Sequence, residues 1–173
     1  MVARLTVGKK KYIPVEPQMQ AILGQAELLR VELTGAIQRD AAAFEAVMAA
    51  FKLPKETSEQ QEVRARAVEQ ATLQASRVPL EVAGKSVQVL ELAAQVVSLG
   101  NLNAISDGAT AAALARAALT GAGYNVRINI ASLKDRTAAQ PLLDELNGLE
   151  RRASQIEDQV RLELQNRGGM PLA

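Results

Sequence analysis

Between Pro17 and the Leu53-Pro54 pair the chain contains no proline, and its apolar residues recur at three- and four-residue steps. Met19, Ile22, Leu23, Ala26, Leu29, Leu33, Ala36, Ile37, Phe44, Val47 and Phe51 make the stripe, and Gln18, Gln25, Glu32 and Arg39 mark an opposite polar face at heptad spacing. This period predicts one long helix over Pro17–Phe51. Pro14 and Pro17 stand where proline suits a helix start, and Leu53-Pro54 stops it.

The core material points the same way. Hydrophobic residues make up 48% of the chain but aromatics only 2%, so a core must be built from Ala, Leu, Val and Ile. Such a core suits closely packed helices better than a sandwich or barrel, which lean on aromatic and β-branched side chains. With 173 residues, one ordinary-sized domain spanning the whole chain is expected. The expected fold class is all-α, a bundle of long helices.

Further helices follow in order. Lys55-Glu56 forms a charged turn, and Thr57 or Ser58 with Gln60 or Gln61 three residues on makes a capping-box pattern. That helix runs through Val63, Ala67, Ala71 and Ala75 to Val78, where Pro79 breaks or kinks it. Leu80, Ala83, Val87, Leu90, Ala94 and Val97 continue a stripe to Leu99, with Gly100 as the terminating residue. Tyr124–Ile130 alternates apolar and polar residues as a strand does, but a lone strand has no partner in a helical chain. It is read as helix, with Asn125 and Asn129 on one face. From Pro141 onward Leu142, Leu146, Leu149, Ala153, Ile156, Val160 and Glu163 alternate four- and three-residue steps, with fraying near Gln165 and an end at Gly168-Gly169. This last helix reads as structure or subunit contact.

Composition excludes several functions. A net charge of +1 argues against a nucleic-acid partner held by phosphate neutralisation, and the scarcity of aromatics removes a base-stacking platform. The chain has no His and no Cys, so disulfides, the common zinc ligand sets, and Cys or Ser–His nucleophiles are all out. Neither a metal nor a cofactor is expected. Val87–Leu99, interrupted by Gln88, Glu91 and Gln95, is too polar to cross a membrane, and Met1–Val7, followed by Lys9-Lys10-Lys11, lacks a signal-peptide core. A cytoplasmic protein without a membrane partner is expected.

The polar residues that packing does not explain cluster in Gly100–Asn129. A knot of Asn101, Asn103, Ser106 and Asp107 leads into an Ala-rich helix, which is left through Gly121-Ala122-Gly123 before Asn125 and Asn129. Ser106 or Asp107 alone would be ordinary helix caps. Asn101 and Asn103 beside them are not explained that way, and polar groups gathered among small residues suggest the wall of a site. Asp40 also breaks a pattern, lying on the apolar stripe between Ile37 and Phe44. It either pairs with an arginine, caps a neighbouring helix, or serves a site. Lys85 is a surface lysine or presents an ammonium to a ligand.

These residues carry a resemblance. The run N-x-N-A-x-S-D from Asn101, the Ala-rich helix, and G-A-x-x-N-V-x-I-N from Gly121 resemble the cyclodeaminase/methenyltetrahydrofolate cyclohydrolase family. That family is the all-helical folate domain forming the second half of formimidoyltransferase-cyclodeaminase, and it also occurs as a stand-alone bacterial protein. The match continues in M-V-A-R-L-T-x-G-K-K-K-Y from Met1, D-x-x-A-F from Asp40, F-x-L-P from Phe51 and A-x-x-V-P-L from Ala75, so it covers the chain to about Gln165.

The resemblance implies a folate one-carbon enzyme with a tetrahydrofolate derivative as substrate. It either hydrolyses 5,10-methenyltetrahydrofolate to 10-formyltetrahydrofolate or cyclises 5-formimidoyltetrahydrofolate with loss of ammonia; the absence of a formimidoyltransferase domain in the chain leans toward the first. Asp40 and Asp107 are the catalytic candidates. Asn101, Asn103, Asn125 and Asn129 are candidates to bind the pterin edge or a water, and Lys9, Lys10 and Lys11 to receive glutamate carboxylates. Long leftover apolar stripes and the dimers of the family imply a homodimer. Two alternatives stand beside this reading: a folate-binding but inactive member, and a plain helical scaffold.

The family typically carries a Gly-rich segment of the kind P-G-G-G-S ahead of the helix that ends in Met1–Val7, and the chain lacks it. The expectation is an N-terminally shortened domain that folds, with Met1–Gly8 frayed or pinned against a neighbour, yet turns over methenyltetrahydrofolate poorly or not at all. Adding a family-like upstream segment is expected to raise turnover; full activity of the 173-residue chain in the same assay would refute that expectation.

Overall fold

Six α-helices and three short 3₁₀ turns make up the computed structural model, which describes residues 1–171, and no strand occurs among the described residues. The helices are α1 (Val2–Thr6), α2 (Glu16–Phe51), α3 (Ser58–Ala75), α4 (Arg77–Leu99), α5 (Ile105–Ala131) and α6 (Gln140–Asn166). The all-α expectation holds, and Tyr124–Ile130 is helical as read. The glycines at 121 and 123 do not end α5, which continues unbroken to Ala131.

Local signals explain most boundaries. Thr57 caps α3 by accepting from the Gln60 N–H at 3.2 Å, and the Gln60 side chain returns to the Thr57 N–H at 3.3 Å. The break between α3 and α4 comes at Ser76, earlier than Pro79 suggested. Proline tolerates the first helical turn, so Pro79 sits inside the start of α4 rather than at the break. Gly100 ends α4 in extended backbone, φ −75° and ψ −176°, not in a left-handed cap. Its glycine is required by crowding: a Cβ there would lie 2.6 Å from the Val96 carbonyl and 2.9 Å from Val2 Cγ1.

Helix α4 is the middle of the molecule. Leu80, Ala83, Val87, Leu90 and Val97 join the main core with Leu119 and Val126 of α5 and Leu146, Ile156 and Val160 of α6. Leu92 and Val96 turn toward a second core with Val2, Met19, Ile22 and Leu29 of α1 and α2. Small residues let α5 come close: a Cβ on Gly108 would meet Val97 Cγ2 at 2.7 Å.

Ion pairs fix the helix directions. Glu32 accepts from Lys85 at 2.7 Å and Glu81 from Arg39 at 2.9 Å, so α2 runs antiparallel to α4. The polar heptad face expected to be wet therefore partly borders α4. Lys85 keeps only 15% of its side chain exposed and is a tie between α2 and α4 rather than a free surface lysine. Because α5 is also antiparallel to α4 across a short turn, α2 and α5 run parallel to each other.

On the far side Arg127 grips Glu150 of α6 with two hydrogen bonds of 2.8 Å. Those hydrogen bonds, partly opposed by burial, hold the Glu150 carboxyl below its ordinary value of 4.5. A lowered folded-state value means the pair stabilises above that pH and is lost as pH falls through and below it. Glu150→Gln is expected to cost up to about 1 kcal/mol near neutrality, since the pair is partly exposed. In urea unfolding across pH, the gap between wild type and variant should shrink on acidification; a pH-independent gap would refute this.

Candidate active site

The Asn101–Asp107 knot is held from the N-terminal side. Thr6 Oγ1 accepts from the Asn101 N–H at 2.8 Å and itself donates to the Val2 carbonyl at 2.8 Å. The Tyr12 hydroxyl accepts from the Leu102 N–H at 3.0 Å, and Asn101 Nδ2 donates to the Leu5 carbonyl at 3.1 Å. Met1–Gly8 is thus pinned, and the lysine run is a 3₁₀ turn docked through Tyr12 rather than a loose terminus. Asn101 Oδ1 accepts from the Asn103 N–H at 3.1 Å, so both ends of that amide are engaged within the fold, while Asn103 is exposed.

Asp107 does not cap a helix. The N-cap of α5 is Ala104, without a side-chain cap, and Asp107 is the third helical residue. There its charge suits the positive end of the helix dipole. It is exposed at the edge of a groove of about 460 Å³ walled by Val2, Ile22, Leu29, Val89 and Val96, in which Arg30, itself exposed and paired with Glu27 at 2.6 Å, is the other charged side chain. An apolar slot with one carboxylate and one guanidinium accommodates a flat ring system that also carries charge.

Asp40 lines a second groove, of about 350 Å³, together with Phe44, Thr72, Asn125, Asn129 and Ser132. Asp40 is exposed at its rim and, among the described residues, makes no ion pair; its neighbour Arg39 pairs with Glu81 instead. Asn125 donates its amide N–H to the Gly121 carbonyl at 3.1 Å, and Asn129 donates to the Ala75 carbonyl at 3.4 Å. Each side-chain carbonyl is thereby left as the acceptor available to the groove.

The fold gathers Asp40, Asn125 and Asn129 from two helices distant in sequence, but it sets Asp107 elsewhere. Along α5, Asp107 and Asn125 lie about five turns, or about 27 Å, apart. A single copy therefore does not join the two carboxylates in one site. Asn101 and Asn103 stay in the knot, and Lys9, Lys10 and Lys11 line neither groove. Sequence reading missed Arg30 and Phe44 as site-lining residues; their helical positions alone carried no signal of a groove.

Between the grooves, apolar surface is left uncovered. On α5, Leu114, Ala117, Gly121, Tyr124 and Ile128 follow three- and four-residue steps on the exposed side, in register with Asp107. On α2, Leu28, Val31, Ile37, Phe44 and Met48 are exposed, Ile37 at 70%. The second half of the long apolar stripe thus leaves the core.

Residues 1–148 match the family described as formiminotransferase-cyclodeaminase. A methenyltetrahydrofolate cyclohydrolase from Methylorubrum extorquens is 42% identical over 160 residues, covering 92% of this chain and 77% of that protein. A formimidoyltransferase-cyclodeaminase from Mus musculus is 32% identical over 135 residues, which are 78% of this chain and 25% of the mouse protein. Among solved structures, formiminotetrahydrofolate cyclodeaminase from Thermotoga maritima matches with a TM-score of 0.84 and 29% identity, covering 97% of this chain and 80% of that one. The family match through both grooves, carried on the same helical fold, shows that the chain belongs to the formiminotransferase-cyclodeaminase family.

Proposed function

We propose that this chain is a folate one-carbon enzyme that hydrolyses 5,10-methenyltetrahydrofolate to 10-formyltetrahydrofolate. The observation that carries the reading is 42% identity, over 92% of the chain, to a methenyltetrahydrofolate cyclohydrolase. The structural likeness to a formiminotetrahydrofolate cyclodeaminase favours cyclisation of 5-formimidoyltetrahydrofolate, with loss of ammonia, as the second reading.

Both reactions pass a tetrahedral carbon between two nitrogens, starting from or ending at a cationic amidinium. In the hydrolysis, water oxygen bonds to the methenyl carbon and loses a proton; the carbon–N5 bond then breaks, N5 takes up a proton, and the hydroxyl becomes the formyl carbonyl by losing its own. The reaction needs a carboxylate near the cation and a proton acceptor near the water. Asp107, in its apolar slot, fits the first role. Asp40 fits the second, with Asn125 and Asn129 supplying acceptors for the water or the pterin N–H edge. Arg30, which lines the Asp107 groove and pairs with Glu27 at 2.6 Å, is the cation nearest that groove to meet the folate's carboxylates, while Lys9, Lys10 and Lys11 stand outside both grooves. We assign Asn101 to holding the knot and Asn103 to its exposed face. The chemistry calls for no cofactor beyond the folate. A cytoplasmic address without nucleic-acid or membrane partners belongs to the same reading; no helix of the described residues is long and apolar enough to cross a membrane.

The separated carboxylates are reconciled by a homodimer. Because α2 and α5 run parallel, a two-fold axis across their midpoints sets the Asp107 end of one copy against the Asp40 end of the other. The exposed apolar seams on both helices supply the contact, which buries surface that one copy leaves in water.

Loss of the methenyl chromophore on incubation with the chain tests the function, and folate binding without turnover would identify an inactive binder. Asp40→Asn and Asp107→Asn are each expected to lower kcat by about 100-fold or more, with a smaller effect on folate binding. Mixing the two inactive variants is expected to restore about a quarter of wild-type activity, since half the dimers are mixed and each of those keeps one intact site. No restoration after subunit exchange, or a monomeric mass at micromolar concentration, would sink the shared site.

A further inference from the structure

The last carbonyls of a helix have no intrahelical partner and must be met from outside. At the end of α4 they are met by a residue far along the chain. Arg167, just past α6, donates from Nη1 to the Val97 carbonyl at 2.7 Å and from Nη2 to the Gly100 carbonyl. It forms no ion pair among the described residues, so its charge is directed at the negative end of the α4 dipole. The guanidinium is partly buried, where a charge-assisted hydrogen bond is stronger than on an open surface.

The residues after Arg167 hold it in place. A Cβ on Gly168 would meet the Leu164 carbonyl at 2.7 Å and Ile105 Cδ1 at 3.3 Å, so the chain presses directly on the first residue of α5. Gly169 takes a left-handed φ of +61°, and the Met170 N–H returns to the Leu164 carbonyl at 3.0 Å. Met170 then packs against the main core. The turn between α4 and α5 is therefore gripped from two sides, by Thr6 and Tyr12 on one and by Arg167 and Gly168 on the other. Arg167 lies outside the 1–148 stretch that matches the family.

We propose that Arg167 is a positioning residue for the site. By capping α4 it fixes where that helix ends, and so the path of the turn that aims Asp107 into its groove. The inference rests on the reading that the Asp107 groove receives the folate. Arg167 lines neither groove, so its removal loosens the Gly100–Ala104 turn and the start of α5 without removing any group that lines the Asp107 groove.

The test uses the full chain with Arg167→Ala and Arg167→Lys, followed by kinetics and by hydrogen exchange. Arg167→Ala is expected to lower kcat about tenfold while KM changes less than about twofold. Arg167→Lys, which reaches a single carbonyl, should fall between, and millimolar guanidinium should restore part of the alanine variant's kcat. Amides of residues 100–108 should exchange faster, with α2 and α3 unchanged. Wild-type kcat in Arg167→Ala overturns the proposal, as does unchanged exchange at 100–108. A uniform rise in exchange across the chain in both variants, without guanidinium rescue, marks a merely structural role and overturns it too. If neither the chain nor the chain extended by a family-like upstream segment shows turnover, the functional reading fails, while exchange at 100–108 still decides whether Arg167 governs the turn.

Discussion

The close approach of α5 to α4 is the contact on which the rest of the molecule depends. It is possible because Gly108, Ala112 and Ala115 face α4 with little or no side chain, and Gly108 sits where a Cβ would overlap Val97. Dispersion forces fall steeply with distance, so a thin side-chain layer over many turns compensates for the lack of aromatics. With α5 held tightly on one flank, α4 is free to pack α6 on the same core and to offer Leu92 and Val96 to α2 on another. Two cores with one shared helix is the outcome.

That arrangement also decides where ligands fit. Beside the α1–α2 core, α2 and α5 flank α4 and line the apolar slot containing Asp107 and Arg30. Some five turns further along α5, α3 joins α2 and closes the more polar groove with Asp40, Asn125 and Asn129. The ion pairs Glu32–Lys85 and Arg39–Glu81 lie between them. Partly exposed pairs contribute little stability. They mark the register, whereas the core that Met19, Ile22 and Leu29 share with Leu92 and Val96 determines which end of α2 faces which groove.

The connections carry as much of the site as the helices do. Gly100 is a crossing point where α1, the end of α4 and Arg167 all meet backbone, and no side chain fits there. Thr6 and Tyr12 satisfy two N–H groups of the turn that would otherwise be left without protein partners. Such a crossing is a packing requirement before it is a chemical one, and it opens the turn that leads to Asp107.

Much of this was legible in the residues alone. The three- and four-residue steps determined the helices, because a helical stripe must repeat with the helical turn, and the Thr57–Gln60 box marked a start that the structure reproduces. The ordered motifs around Asp40, Asn101–Asp107 and Asn125–Asn129 were enough to point to the family. Spacing said nothing about distance between elements, however. Asp40 and Asp107 looked like one pair, and only the parallel course of α2 and α5 showed that a single copy holds them at opposite ends. The sequence likewise could not show that Glu32 and Arg39 border α4 while Ile37 and Phe44 are left in water, since periodicity defines faces but not which neighbour covers them. Gly100 makes the same point: a glycine after a helix reads as a left-handed cap, and the structure requires it instead for the space that three approaching segments leave. Helices follow from local repetition along the chain, whereas grooves, caps supplied from far away and uncovered seams follow from which surfaces compete to be buried together.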